Sequence, residues 1–252
     1  MTAVPILETV ALTRRFGGIE AVAEVALTIT SGEAHCIIGP NGAGKTTLIN
    51  LLSGDLPPTS GSIRFDGRDI AGLPSHAISQ AGIGRSYQRT NIFPALSVRE
   101  NCWLAAQSRG GSSMRFFRPA ASRADVAARA DEALARCGLA DRAESIAATL
   151  SHGEQRQLEI GMVLATQPRL LLLDEPMAGM SSKESQRMVE LLRELKGSHT
   201  LVLIEHDMDV VFALADTITV LVNGAVLETG SPAAVQASPK VRAAYLGESA
   251  AA

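Results

Sequence analysis

The sequence predicts an α/β fold: a mixed, mainly parallel sheet with an antiparallel β edge and an inserted helical subdomain. Three observations carry this reading. Short aliphatic runs at 34–38, 170–174, 200–204 and 217–222 alternate with segments of helical period. A glycine-rich turn follows the first of these runs, where a strand must give way to a helix. The stretch from about Val98 to Ala165 is rich in Ala and Arg and shows no strand pattern.

Taken in chain order, the runs at 6–12, 25–29 and 62–65 read as strands separated by Gly-containing turns, which gives the antiparallel edge. The run at 83–87 reads as another strand. Within the helical stretch, Ser122 and Asp125 fit a capping box, Gly138 after Cys137 fits a helix stop, and 107–119, with its Gly and Ser residues, reads as a loop. After the strand at 170–174, Met188, Leu191, Leu192 and Leu195 repeat at i, i+3, i+4 and i+7, so one helical face docks on the sheet. The division expected is one domain over 1–252, with 1–97 and 166–252 forming the core and 98–165 the helical subdomain.

Composition narrows the function classes. The chain has 252 residues, 46% of them hydrophobic, which suffices for one well-filled core. A net charge of −3 and 4% aromatic residues leave no global field and no stacking platform for nucleic acid, so no nucleic-acid partner is expected. Cys36, Cys102 and Cys137 are widely spaced and imply neither a disulfide framework nor a zinc site. No apolar run approaches the roughly 20 residues of a membrane span, and Met1 to Glu8 lack the pattern of a secretory signal. A cytoplasmic chain is expected.

Directly after the strand at 34–38 stands Gly39-Pro40-Asn41-Gly42-Ala43-Gly44-Lys45-Thr46-Thr47, a full match to the phosphate-loop pattern G-x-x-x-x-G-K-[ST]. Successive backbone N–H groups and a helix N-terminus converge there on phosphate, and glycine removes the Cβ atoms that would block the approach. Lys45 can bridge β- and γ-phosphate oxygens, and the Thr46 hydroxyl can reach Mg²⁺. The apolar run at 170–174 ends in Asp174-Glu175, and ligands of parallel sheets sit beyond the carboxyl ends of the strands. Asp174 suits the Mg²⁺ shell and Glu175 the polarisation of an attacking water. The fold class is therefore a P-loop NTPase.

Leu150-Ser151-His152-Gly153-Glu154-Gln155, just before the strand ending in Asp174, resembles the L-S-G-G-Q signature of ABC transporter ATP-binding subunits, and the likeness covers nearly the whole chain. The resemblance implies an ABC ATPase that binds ATP and Mg²⁺. Ser151, Gly153 and Glu154 would lie on an ATP held by a second ATPase subunit, identical or a paralogue, with His152 and Glu154 departing from the family pattern. Gln88 matches the Q-loop glutamine that senses Mg²⁺, His206 the switch histidine that contacts the γ-phosphate, and Phe16 the aromatic that stacks on adenine, though a Phe there also suits the core. Ser181 stands where the family's D-loop has Asp. The implied catalytic group is Glu175, His206 and Lys45.

Arg15-Phe16-Gly17-Gly18, Leu158-Glu159-Ile160, Glu205-His206-Asp207-Met208-Asp209-Val210-Val211 and Tyr245-Leu246-Gly247 are most similar to the larger, LivG-type ATPase subunit of branched-chain amino-acid importers, as is the insertion at 107–142. That likeness implies two membrane permeases, a solute-binding protein as indirect partner, and a peripheral place on the cytoplasmic face of the inner membrane. Leu150-Ser151-His152-Gly153 and Ala178-Gly179-Met180 also resemble ATPases of urea and amide importers. A soluble ABC ATPase without a permease, such as one assisting iron–sulfur cluster assembly, and a non-hydrolysing nucleotide-binding module are the other readings. The segment Ser113 to Arg118, with two Arg flanking two Phe, is either a permease or headgroup contact or a loop folded on the subdomain.

Overall fold

Two sheets share the strands of this chain in the computed structural model, which describes residues 5–88, 90–109 and 124–249. The expected capping residue Ser122 and the Arg/Phe segment 113–118 lie outside the described residues. The first sheet is antiparallel, in the order β2-β1-β4-β5, from β1 (Pro5–Phe16), β2 (Ile19–Thr30), β4 (Ser60–Phe65) and β5 (Arg68–Asp69). These strands form a sheet of their own rather than lengthening the parallel one. They also run longer than their alternation suggests, because Ala11 and Glu24, at φ 46° and 48°, sit at irregularities that shift the side-chain phase midway.

The second sheet runs β10-β9-β3-β8-β7-β6, with β3 (Ala34–Ile38), β6 (Ile83–Arg85), β7 (Leu170–Asp174), β8 (Thr200–Ile204) and β9 (Thr217–Val222) parallel and β10 (Ala225–Gly230) antiparallel to β9. Every residue of β3, β7 and β8 is buried. Alternate side chains serve two different cores: Ile37, Leu170, Leu172, Val202 and Ile204 pack with α1 (Lys45–Leu52) and the antiparallel sheet, whereas Cys36, Leu171, Leu173, Leu201 and Leu203 pack with the helices of the opposite face. A strand covered on both sides reads as an unbroken apolar run.

Those helices include α3 (Val98–Gln107), α4 (Ala124–Arg136), α5 (His152–Ala165), α6 (Ser182–Leu195) and α7 (Met208–Leu214); α2 (Ser75–Ala81) precedes β6, and α8 (Pro232–Ala237) and α9 (Pro239–Ser249) end the described chain. The expected face of α6, Met188, Leu191, Leu192 and Leu195, is buried. Gly138, at φ 69°, follows α4 as expected of a helix stop. Cys36, Cys102 and Cys137 are free and buried. Among the described residues no helix is long and apolar enough to cross a membrane.

One strand is shorter than its pattern suggests. β6 ends at Arg85, not Tyr87, because the Tyr87 N–H donates to the Glu159 carboxylate of α5 (3.0 Å) instead of continuing the ladder.

Candidate active site

The carboxyl ends of four neighbouring parallel strands, β3, β8, β7 and β6, carry in turn the phosphate loop, Glu205-His206, Asp174-Glu175 and Tyr87-Gln88. Residues far apart in the chain are thereby set along one edge, where parallel sheets place their ligands.

The loop is shaped first by its own chain. A Cβ on Gly39 would lie 2.1 Å from the Leu221 carbonyl oxygen, and one on Gly44 would lie 2.2 Å from that of Ala21. These two glycines are required by close approach of β9 and β2, a reason separate from the approach of phosphate. Ala43 is buried, and its carbonyl accepts from the Gly224 N–H (3.0 Å); Asn41, Gly42 and Thr46 are exposed, and Pro40 and Thr47 half-buried. Gly44, left-handed at φ 98°, opens α1 without a side-chain cap, so the first N–H groups of the helix have no side chain over them. Lys45 Nζ donates to the Gly39 (2.5 Å) and Pro40 (2.9 Å) carbonyls, which folds its ammonium back over the loop.

At the end of β7, Asp174 is buried (2% exposed) and Glu175 is turned out of the strand at φ 48°. Burial pushes the Asp174 carboxyl up from its ordinary range, against the pull of Arg85, whose guanidinium lies 3.7 Å away. Arg85 also donates to Ser53 Oγ and Asp55 Oδ2, both at 2.6 Å. Glu175 is the point of convergence. Gln88 Nε2 donates to its Oε2 (3.2 Å), and His206 Nδ1 stands 3.9 Å from its Oε1. The structure thus brings Gln88, Glu175 and His206 together from three strand ends.

The oxygen-only donor set fits Mg²⁺. Thr46 offers a hydroxyl, Asp174 a carboxylate, and Gln88, with Nε2 given to Glu175, the amide oxygen, few enough for a cation that keeps waters and phosphate oxygens in its shell. Phe16 is 45% exposed, which removes the core alternative; the Arg14 guanidinium lies 4.7 Å from its ring centroid. It closes the turn before β2, the strand whose Ala21 abuts Gly44.

The signature residues stand apart, at the start of α5. Ser151 is the N-cap, and its hydroxyl accepts from the Glu154 N–H (3.2 Å) while Glu154 Oε2 accepts from the Ser151 N–H (2.8 Å). Glu154, expected against nucleotide, uses its carboxylate to close this capping box. Ser181 plays the matching role at α6 with Glu184.

Four residues had no role in the sequence reading. Arg85 braces Asp174. Arg156 of α5 donates to the carbonyls of Tyr87 (2.8 Å) and Gln88 and pairs with Glu159 (3.1 Å), both side chains buried. Glu205 is 2% exposed and accepts from the N–H groups of Met177 and His206, each at 3.3 Å; burial pushes its carboxyl up to about 7, opposed by those two bonds. The i, i+3 spacing of Arg156 and Glu159 on a helix was a readable sign; Arg85 and Glu205 look in sequence like ordinary strand-end charges.

Residues 22–178 match the family model of the ABC transporter, and 225–251 match that of the branched-chain amino acid ATP-binding cassette transporter. The chain is 41% identical to the high-affinity branched-chain amino acid transport ATP-binding protein BraF of Pseudomonas aeruginosa, over 97% of this chain and 98% of that one, and 41% identical to LivG of Salmonella typhimurium over the same shares. Among solved structures it is similar to the ADP conformation of an ATP-binding cassette of an ABC transporter, with 29% identity, TM-score 0.86 and coverage of 97% and 99%. A dimeric post-hydrolysis cassette bound to ADP and Pi matches with 27% identity, TM-score 0.75 and coverage of 90% and 98%.

Proposed function

The chain belongs to the ATP-binding proteins of the ABC transporter family, and on that premise we propose that it hydrolyses ATP to drive an importer of branched-chain or related amino acids. The observation that carries the proposal is the Glu175 carboxylate held between Gln88 and His206 at the end of β7.

When ATP binds, Lys45 exchanges the Gly39 and Pro40 carbonyls for β- and γ-phosphate oxygens. Thr46, Asp174 and Gln88 would hold Mg²⁺, whose charge would offset that of the phosphate oxygens. Glu175 aligns the attacking water and takes its proton, while the exposed His206 donates to the γ-phosphate as negative charge develops. Phe16 stacks on the base. Ser151 and Gly153 face the ATP of a second ATPase subunit, whose own signature covers the ATP held here, so that two ATP molecules are sandwiched between two subunits, and 98–165 acts as a helical subdomain that reaches the permeases. The complex sits on the cytoplasmic face of the inner membrane with two permeases and, indirectly, a solute-binding protein. Similarity at 225–251 to the branched-chain family supports this reading over the urea and amide importers and the permease-free ATPases.

Glu175→Gln tests the proposal: ATP affinity stays within a few-fold, and turnover falls on the order of 100-fold or more, as for loss of a general base. Turnover near wild type removes Glu175 from the role. Mass spectrometry of the complex purified from native membrane in mild detergent shows two permeases and a second ATPase subunit; a wholly soluble chain with no companions overturns the importer reading.

A further inference from the structure

The N-terminus of α5 is occupied by a group from its own chain. Glu184 Oε1 accepts from the Ser151 hydroxyl (3.2 Å) and from the Gly153 N–H (3.1 Å), the two donors that the sandwich reading assigns to the γ-phosphate of the facing subunit's ATP. Its other oxygen, Oε2, accepts from the Ser181 N–H (3.0 Å) and hydroxyl (2.7 Å). One carboxylate therefore ties the start of α5 to the start of α6. These four donors hold Glu184 well below the usual carboxylate range, at about 2, so it is an anion at any physiological pH. Gly153 accommodates it closely: a Cβ there would lie 2.6 Å from Glu184 Oε1 and 2.7 Å from its Cγ.

Each of the two donors has a single hydrogen to give. A hydroxyl and an N–H that point at a carboxylate cannot at the same time point at a phosphate oxygen, and two anions on one pair of donors repel. We propose that Glu184 is a positioning residue that holds Ser151 and Gly153 as an internal stand-in for phosphate and is displaced from them by the γ-phosphate of the facing subunit's ATP. The proposal rests on the sandwich reading given above. A route for displacement is present. Arg187, at i+3 on the same helix, lines the cleft that Ser151, Gly153, Glu154, Gln157 and Glu184 share, and rotation about the Glu184 side chain brings the carboxylate to it. The bond from the Glu184 N–H to the Ser181 hydroxyl (3.4 Å) does not involve the carboxylate and keeps α6 capped.

The test uses the whole transporter purified from native membrane. Glu184→Gln keeps the shape but removes the charge and leaves the Gly153 N–H without its full acceptor; Glu184→Asp keeps the charge, still caps Ser181, and is one methylene too short to reach α5. Both lower the ATP concentration for half-maximal turnover by threefold or more, whereas a role in helix capping alone lowers thermal stability and leaves that concentration unmoved. Ser151→Ala, run beside them, raises the same concentration at least tenfold. If Ser151→Ala raises it and neither Glu184 variant lowers it, the displacement proposal is overturned and the sandwich stands. If Ser151→Ala leaves it unchanged, the sandwich reading falls and takes the proposal with it.

Discussion

Glu205→Gln is expected to remove one pH-dependent contribution to stability. Glu205 is buried at the end of β8, its carboxyl moved from 4.5 to about 7 chiefly by burial and further by the Glu175 charge, against the opposing N–H groups of Met177 and His206 and the His206 side chain. Between those two values the folded chain binds a proton that the unfolded chain has released. Stability from this group is therefore fully present below pH 4.5 and is lost as the pH rises through 7. The full difference is about 3 kcal/mol, most of which falls between pH 5 and pH 8. Gln keeps an acceptor for the Met177 N–H and has nothing to ionise. Urea unfolding of both proteins at pH 5, 6, 7 and 8 isolates the group, since the other titrating side chains cancel in the difference. The variant gains on wild type by about 2–3 kcal/mol from pH 5 to pH 8, whatever constant offset the lost His206 bond leaves. A difference that stays constant to within about 0.5 kcal/mol refutes the assignment, because a carboxylate ionised alike in both states has no such slope.

Arg156→Met removes the ion-pair partner of buried Glu159 and is expected to destabilise the protein by about 3–5 kcal/mol in urea unfolding, with Glu159→Gln recovering part of the loss. Gly84→Ala places a Cβ 2.4 Å from Val163 Cγ1 and destabilises by about 1–3 kcal/mol; in combination with Val163→Ala, which removes that methyl, the measured loss is smaller than the sum of the two. The three thiols are buried, with Cys36 and Cys102 pushed up to about 12 and Cys137 pushed up further by its own burial, so a thiol-disulfide reagent labels none of them in the native chain and all of them in urea.

What the sequence makes legible follows from what is periodic or local. β3, β7, β8 and β9 were readable to the residue because strands buried on both faces give unbroken aliphatic runs with sharp ends. β1 and β2 were cut short because left-handed residues at Ala11 and Glu24 break the alternation that marks a strand. The phosphate loop is contiguous, so every residue of it was named; its reason for glycine at 39 and 44 was only half visible, since β9 and β2 approach from elsewhere in the chain. Gln88 and His206 were located by resemblance, and their meeting at Glu175 depends on the strand order β8-β7-β6, which no local pattern encodes. Glu184 falls off the apolar face of α6 and looks in sequence like any other helix charge. Its partners lie 31 and 33 positions earlier, and nothing in the spacing of charges on a helix points to them.

The Arg156 clamp makes two distant functional segments mechanically one piece. The helix capped by Ser151 grips the carbonyls of Tyr87 and Gln88 through a buried guanidinium, so these two residues are held by α5. A tilt of α5 is then a tilt of Gln88, and through the Gln88–Glu175 bond it reaches the carboxylate at the end of β7 without any loop having to relay it. The lever has its fulcrum inside a single chain, and its two arms are the Ser151 end of α5 and the Glu175 carboxylate.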